Sequence, residues 1–158
     1  MDEAIARYEG LIRNNPNNAQ AYLNVVSLYR QQASEASDPA IVEQLNTKAI
    51  NAMNELKRVD PENPMAYLNL ASIYLAQGKN ADAETNANLT LQKDPTLYQP
   101  YIILATVNQS KGTNDYNVLS IWKNALLLLW VVMPPDFPVN VMLPSLLPMP
   151  ASAEQWNS

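Results

Sequence analysis

Residues 64–95 read PMAYLNLASIYLAQGKNADAETNANLTLQKDP. Within them, Tyr67-x2-Leu70-Ala71-x2-Tyr74 sets bulky and small residues at i, i+3, i+4 and i+7, which is one face of a helix. Gly78 comes next, a residue suited to closing a last helical turn in the left-handed conformation. Ala83-x3-Ala87-x2-Thr90 then repeats the helical spacing, and Asp94-Pro95 supplies turn chemistry. The stretch predicts two antiparallel helices. Such a pair cannot bury its shared apolar face alone, so the chain must stack further pairs or a partner against it.

Partial copies lie on both sides. Ala49-x3-Met53-x2-Leu56-x4-Pro61 and Ala4-x3-Tyr8-x2-Leu11-x4-Pro16 repeat the second-helix signature of Ala83 to Pro95. Tyr22-x2-Val25-Val26-x2-Tyr29 repeats the first-helix signature, and Tyr101-x2-Leu104-Ala105 starts it again, with Asn108 where a tyrosine is expected. A bulky residue, Leu, a small residue and Tyr, followed by Ala-x3-large/small and a closing Pro in a period of about 34 residues, resembles the tetratricopeptide repeat (TPR). The resemblance covers residues 1–125. It implies an all-α, right-handed solenoid of helical hairpins: a half repeat (1–18), an elongated repeat (19–62), a regular repeat (63–96) and a divergent repeat (97–133). An extended, Pro-rich apolar tail (134–158) follows.

Spacing adds detail. Tyr29 and Ala49 are 20 residues apart, against 9 for Tyr74 and Ala83, a difference of 11. That is about three helical turns. Asp38-Pro39 divides the extra length as N-cap and first helical residue, so each helix of this hairpin is expected to gain about a turn and a half. Asn63-Pro64 is expected to cap another helix, Gly112 to close one, and Thr96 with Gln99 to form a capping box. The chain opens on a second helix, so either an upstream segment or another molecule is expected against its open face.

Composition narrows function. Net charge is −5, which argues against a nucleic-acid backbone as a partner, and none is expected. There is no cysteine and no histidine, and three scattered glycines cannot build a phosphate-cradling loop. No pair of carboxylates is spaced for acid–base work, so no enzyme activity, cofactor or metal is expected. The sequence leaves localisation open. Asn88-Leu89-Thr90 and Asn108-Gln109-Ser110 fit the glycosylation pattern, which chance readily supplies among nineteen asparagines.

The tail is distinct. Residues 126–133 are unbroken apolar sequence, too short to span a bilayer. Six of the seventeen residues in 134–150 are proline, which points to extended backbone. Its apolar side chains Phe137, Val139, Val141, Leu143, Leu146 and Leu147 are candidates for self-association, either over the chain's own last repeat or on a neighbouring subunit or other protein. A weaker reading buries residues 126–150 against a membrane complex.

In the TPR family the first helices line a concave face that receives an extended peptide. Matched by spacing, the inward residues are Leu23, Asn24, Ser27, Arg30 and Gln31; then Met65, Leu68, Asn69, Ser72 and Leu75; then Ile102, Ile103, Thr106 and Gln109. Leu23, Leu68, Ile102 and Ile103 stand where chaperone-binding relatives hold cations. The face is therefore expected to be aliphatic with amide rungs, suited to an uncharged extended peptide. The alternative is packing of helix on helix at these positions. The expected function is a non-enzymatic protein-interaction scaffold binding an extended peptide or partner subunit. The other function considered is a structural subunit of a homopolymer, a filament or ring built head to tail.

Overall fold

A computed structural model describes residues 1–111, and six α-helices make up that part: α1 (Asp2–Asn14), α2 (Ala19–Glu35), α3 (Pro39–Val59), α4 (Pro64–Ala76), α5 (Asn80–Lys93) and α6 (Gln99–Ser110). Each helix packs on the next in the chain, most extensively within the hairpins α2–α3 and α4–α5. The second half of the expected divergent repeat, Gly112, the 126–133 run and the tail residues Phe137 to Leu147 lie outside the described residues.

The periodicity is visible in the turns. Asn15, Asp60 and Asp94 end α1, α3 and α5 with nearly the same backbone: φ −141, −139 and −146°, ψ 89, 78 and 97°. Each donates its N–H to the carbonyl four residues back, on Leu11, Leu56 or Thr90. A proline follows each one, where the helix cannot continue. At the next helix start, Asn18 and Asn63 accept from the N–H of Ala21 and Met65 at 3.1 Å each, satisfying one of the orphan donors of the first turn.

The third such start is different. Leu97 occupies the place of Asn18 and Asn63, so no side chain caps there, and α6 begins at Gln99 after Tyr98 with Pro100 in its first turn. The expected Thr96–Gln99 capping box does not form. Thr96 instead donates both its N–H (2.9 Å) and its hydroxyl (2.6 Å) to the Asp94 carboxylate, because it lies in the turn two residues beyond Asp94 and ahead of the helix.

The elongated hairpin is as long as the spacing requires, though not as evenly divided. α2 has 17 residues against 13 in α4, and α3 has 21 against 14 in α5, so the second helix takes seven of the eleven extra residues. Asp38 decides the division: its carboxylate accepts from Ala40 N at 2.9 Å and Pro39 opens α3 at once. Gly78, at φ +71°, ends α4, with Lys79 N donating back to Tyr74 O at 2.9 Å.

Two apolar clusters hold the stack. The larger joins Ile5, Tyr22, Val25, Val26, Tyr29, Leu45, Ala49, Met53, Leu56, Ala66, Tyr67, Leu70 and Ile73. The smaller joins Leu68, Ala71, Ala83, Ala87, Ile103, Leu104 and Val107. Small residues at Ala49, Ala66, Ala71, Ala83 and Ala87, all fully buried, let the helix axes approach, while Met53, Leu56, Leu70 and Val26 fill the remaining volume.

Candidate functional site

The residues expected on the inner face divide into two sets. Leu68 and Ile103, each 6% exposed, belong to the core between α4, α5 and α6, and Met65 and Leu75 pack half-buried on its edge. Leu23 packs half-buried on the larger cluster, and Ile102 is also half-buried. Ser27, Arg30, Gln31, Thr106 and Gln109 are exposed, with Asn24, Asn69 and Ser72 half-buried among them. The exposed members of this set are thus hydroxyls, amides and one guanidinium, while polar Asn24, Asn69 and Ser72 and aliphatic Leu23, Met65, Leu75 and Ile102 are alike half-buried.

The two equivalent asparagines are engaged differently. Asn24 Oδ1 accepts from Gln20 Nε2 on its own helix at 2.9 Å. Asn69 is held at both ends: its Nδ2 donates to Met65 O at 2.8 Å, and its Oδ1 accepts from Arg30 Nη1 of α2 at 3.1 Å. The Arg30–Asn69 bond therefore links the first helices of two successive hairpins, α2 and α4. Thr106 turns its hydroxyl back to Ile102 O at 2.9 Å, and so is less available to a ligand than Ser27 or Ser72.

Further features went unread in the sequence. A shallow cavity of about 450 Å³ lies at the projecting end of the long hairpin, lined by Gln32, Glu35, Ala36, Ile41, Gln44, Leu45 and Lys48. Ile41 is 47% exposed at its rim. Lysines stand over three of the repeat tyrosines, Lys48 at 5.6 Å from the Tyr29 ring centre, Lys57 at 4.9 Å from Tyr67 and Lys79 at 6.0 Å from Tyr74. No local motif announces these pairs. Of the glycosylation-pattern residues, Asn88 is exposed in the middle of α5 and Asn108 is half-buried near the end of α6. Among the described residues no group of three His, Cys, Asp or Glu could hold a metal ion, and no helix is long and apolar enough to cross a membrane.

The family model described as a tetratricopeptide repeat matches residues 43–97, from within α3 to the turn before α6. Solved structures extend the likeness. A thermophilic TPR protein of Thermus thermophilus superposes with a TM-score of 0.75 at 20% identity, over 90% of this chain and 70% of that one. MamA (MSR-1, C2) superposes at 0.62 and 16% identity over 84% and 69% of the two chains. The MamA D159K mutant gives 0.61 and 16% over 81% and 67%. At these identities the likeness establishes an all-α fold of TPR-like hairpins. No curated protein matches the sequence. Tetratricopeptide repeats are in general protein–protein interaction modules and typically non-enzymatic.

Proposed function

We propose that this chain is a non-enzymatic protein-interaction scaffold whose face along α2, α4 and α6 binds an extended segment of a partner protein. The observation that carries this reading is the polar strip between α2 and α4, where Arg30 meets Asn69 and Ser27 and Ser72 stand on the same two helices. An extended peptide presents a donor and an acceptor at each residue. Side-chain amides and hydroxyls match that pattern in either direction, and half-buried Leu23, Met65 and Ile102 offer shallow apolar contact beside it. Because Leu68 and Ile103 are committed to packing, the ligand is read through its backbone first and its side chains second.

The chain's own segment 134–150, uncharged but for Asp136 and rich in proline, supplies a probe of suitable chemistry. A synthetic peptide of that sequence is titrated calorimetrically into the protein. Ser27→Arg with Ser72→Arg fills the strip without entering the core and should weaken binding tenfold or more. Equal affinity for parent and double variant would remove this face as the peptide site.

A further inference from the structure

Thr90 is out of keeping with its place in the core. The matching position holds Leu56 on α3 and Leu11 on α1, whereas α5 puts a wholly buried hydroxyl there, turned to Asn86 O at 2.9 Å. Packing among apolar neighbours does not call for a hydroxyl, and a bond back to its own helix is mildly unfavourable. Two residues earlier stands Asn88, exposed in the middle of α5. Its counterparts are Asn54 on α3 and Glu9 on α1. Asn54-Glu55-Leu56 thus has the amide without the hydroxyl, and Glu9-Gly10-Leu11 has neither. Among these second helices α5 alone carries both.

An acceptor for an N-linked oligosaccharide needs the two groups together, an asparagine amide and a hydroxyl two residues on, presented on one accessible stretch of chain. Helix α5 keeps them apart. Residues two apart on a helix do not face the same way, which here sends Asn88 to solvent and Thr90 into the core. Ala83 and Ala87 are buried on the same side of α5, in the apolar cluster shared with α4 and α6. The packing of α4 on α5 is the most extensive between any two helices among the described residues. Reaching the Thr90 hydroxyl therefore requires α5 to leave α4 and unwind, an opening far less populated than the fraying of a loop or terminus.

We propose that Asn88 is an acceptor for an N-linked oligosaccharide on the chain before α5 forms, and that folding closes the site by burying Thr90. Asn88 Nδ2 attacks the anomeric carbon of a lipid pyrophosphate-linked oligosaccharide. The N–C bond forms and the C–O bond to the pyrophosphate breaks. The lipid pyrophosphate leaves with that electron pair, and one amide proton passes to a base of the transferase. The sugar then projects from the exposed side of α5 and does not enter the core. Modification at Asn88 thus records whether the chain met the transferase before or after folding.

Asn108→Gln leaves Asn88-Leu89-Thr90 as the only acceptor triplet in the sequence. The full chain carrying it is incubated, folded, with solubilised oligosaccharyltransferase and the lipid-linked donor. Two unfolded acceptors run beside it. One is a synthetic peptide of residues 84–94. The other is the same chain with Ala71→Asp, which forces a carboxylate into the wholly buried cluster of α4, α5 and α6. Mass spectrometry reads occupancy at Asn88. The peptide and the Ala71→Asp chain should be modified at least tenfold faster than the folded chain, and Thr90→Val should abolish modification of both. Comparable rates for the folded chain and the peptide, no modification of the peptide, or modification that survives Thr90→Val would each overturn the proposal. An Ala71→Asp chain that circular dichroism shows to be unfolded, yet is no better an acceptor than the folded chain, would equally overturn it.

Discussion

Tyr29 donates its hydroxyl to the Glu9 carboxylate at 2.6 Å, tying the first complete hairpin to the half repeat before it. The phenol is 5% exposed, and burial together with this hydrogen bond and the nearby negative charge holds its pKa well above the ordinary tyrosine value near 10. Tyr29→Phe removes a hydrogen bond to a charged acceptor and leaves Glu9 half-buried, which should cost roughly 1–2 kcal/mol. Urea denaturation of the two proteins measures it, and an unchanged midpoint would show that the bond contributes nothing net.

The same group sets an alkaline limit. Its pKa is raised in the folded state, so its contribution is fully present below the unfolded value near 10 and is lost as pH climbs toward the higher folded value. Burial raises Tyr22 as well, with Glu55 adding to the shift and Arg58 opposing it. Stability of the parent should fall above about pH 10, and Tyr29→Phe should flatten part of that fall. Parallel slopes for the two proteins between pH 9 and 11 would contradict the assignment.

Leu11 and Leu56 hold equivalent places on α1 and α3, one 41% exposed and the other wholly buried. Leu56→Ala opens a cavity between three helices and should cost about 2–5 kcal/mol. The matching Leu11→Ala loses only partial burial and should cost under about 1 kcal/mol. Comparable losses would mean that α1 is already covered in solution.

Thr90 places a hydroxyl where α3 has Leu56, at 0% exposure, and turns it to the carbonyl of Asn86 at 2.9 Å. That carbonyl already has a helical donor available, and such back-bonding is mildly unfavourable to the helix. Thr90→Val keeps the shape and removes the hydroxyl, so stability should rise by about 0.5–1 kcal/mol. A drop in thermal midpoint would mean that the hydroxyl contributes more than packing.

Gly78 sits at φ +71° with open space where a Cβ would stand. Gly78→Ala therefore costs only backbone strain, about 1–2 kcal/mol. A larger loss would reveal a steric neighbour.

The hairpin order was legible because it rests on local grammar: tyrosines at helical spacing, Asn18 and Asn63 before helices, prolines after Asn15, Asp60 and Asp94. Asp38-Pro39 correctly marked the start of α3, yet equal lengthening of α2 and α3 did not follow from it. α2 ends at Glu35, and residues 36–38 belong to the turn. Thr96 misled for the opposite reason. A threonine three residues before a glutamine has the pattern of a capping box, but its partner was settled by Asp94 on the other side. Among the residues expected on the inner face, periodicity could not separate a half-buried Leu23 from a buried Leu68. Arg30 meeting Asn69 joins residues 39 apart, which only the stacked helices bring together.

The three turns at Asn15, Asp60 and Asp94 keep one backbone conformation although the first interval between them is 45 residues and the second 34. All eleven added residues are therefore taken up at the far end, around residues 36–38, where the chain reverses away from those turns. A graft at that bend, whether an epitope, a fluorescent domain or a second binding module, would travel with the hairpin and leave the joints between repeats as they are. The protein carries a natural attachment point for engineering that its own repeat spacing has already tested.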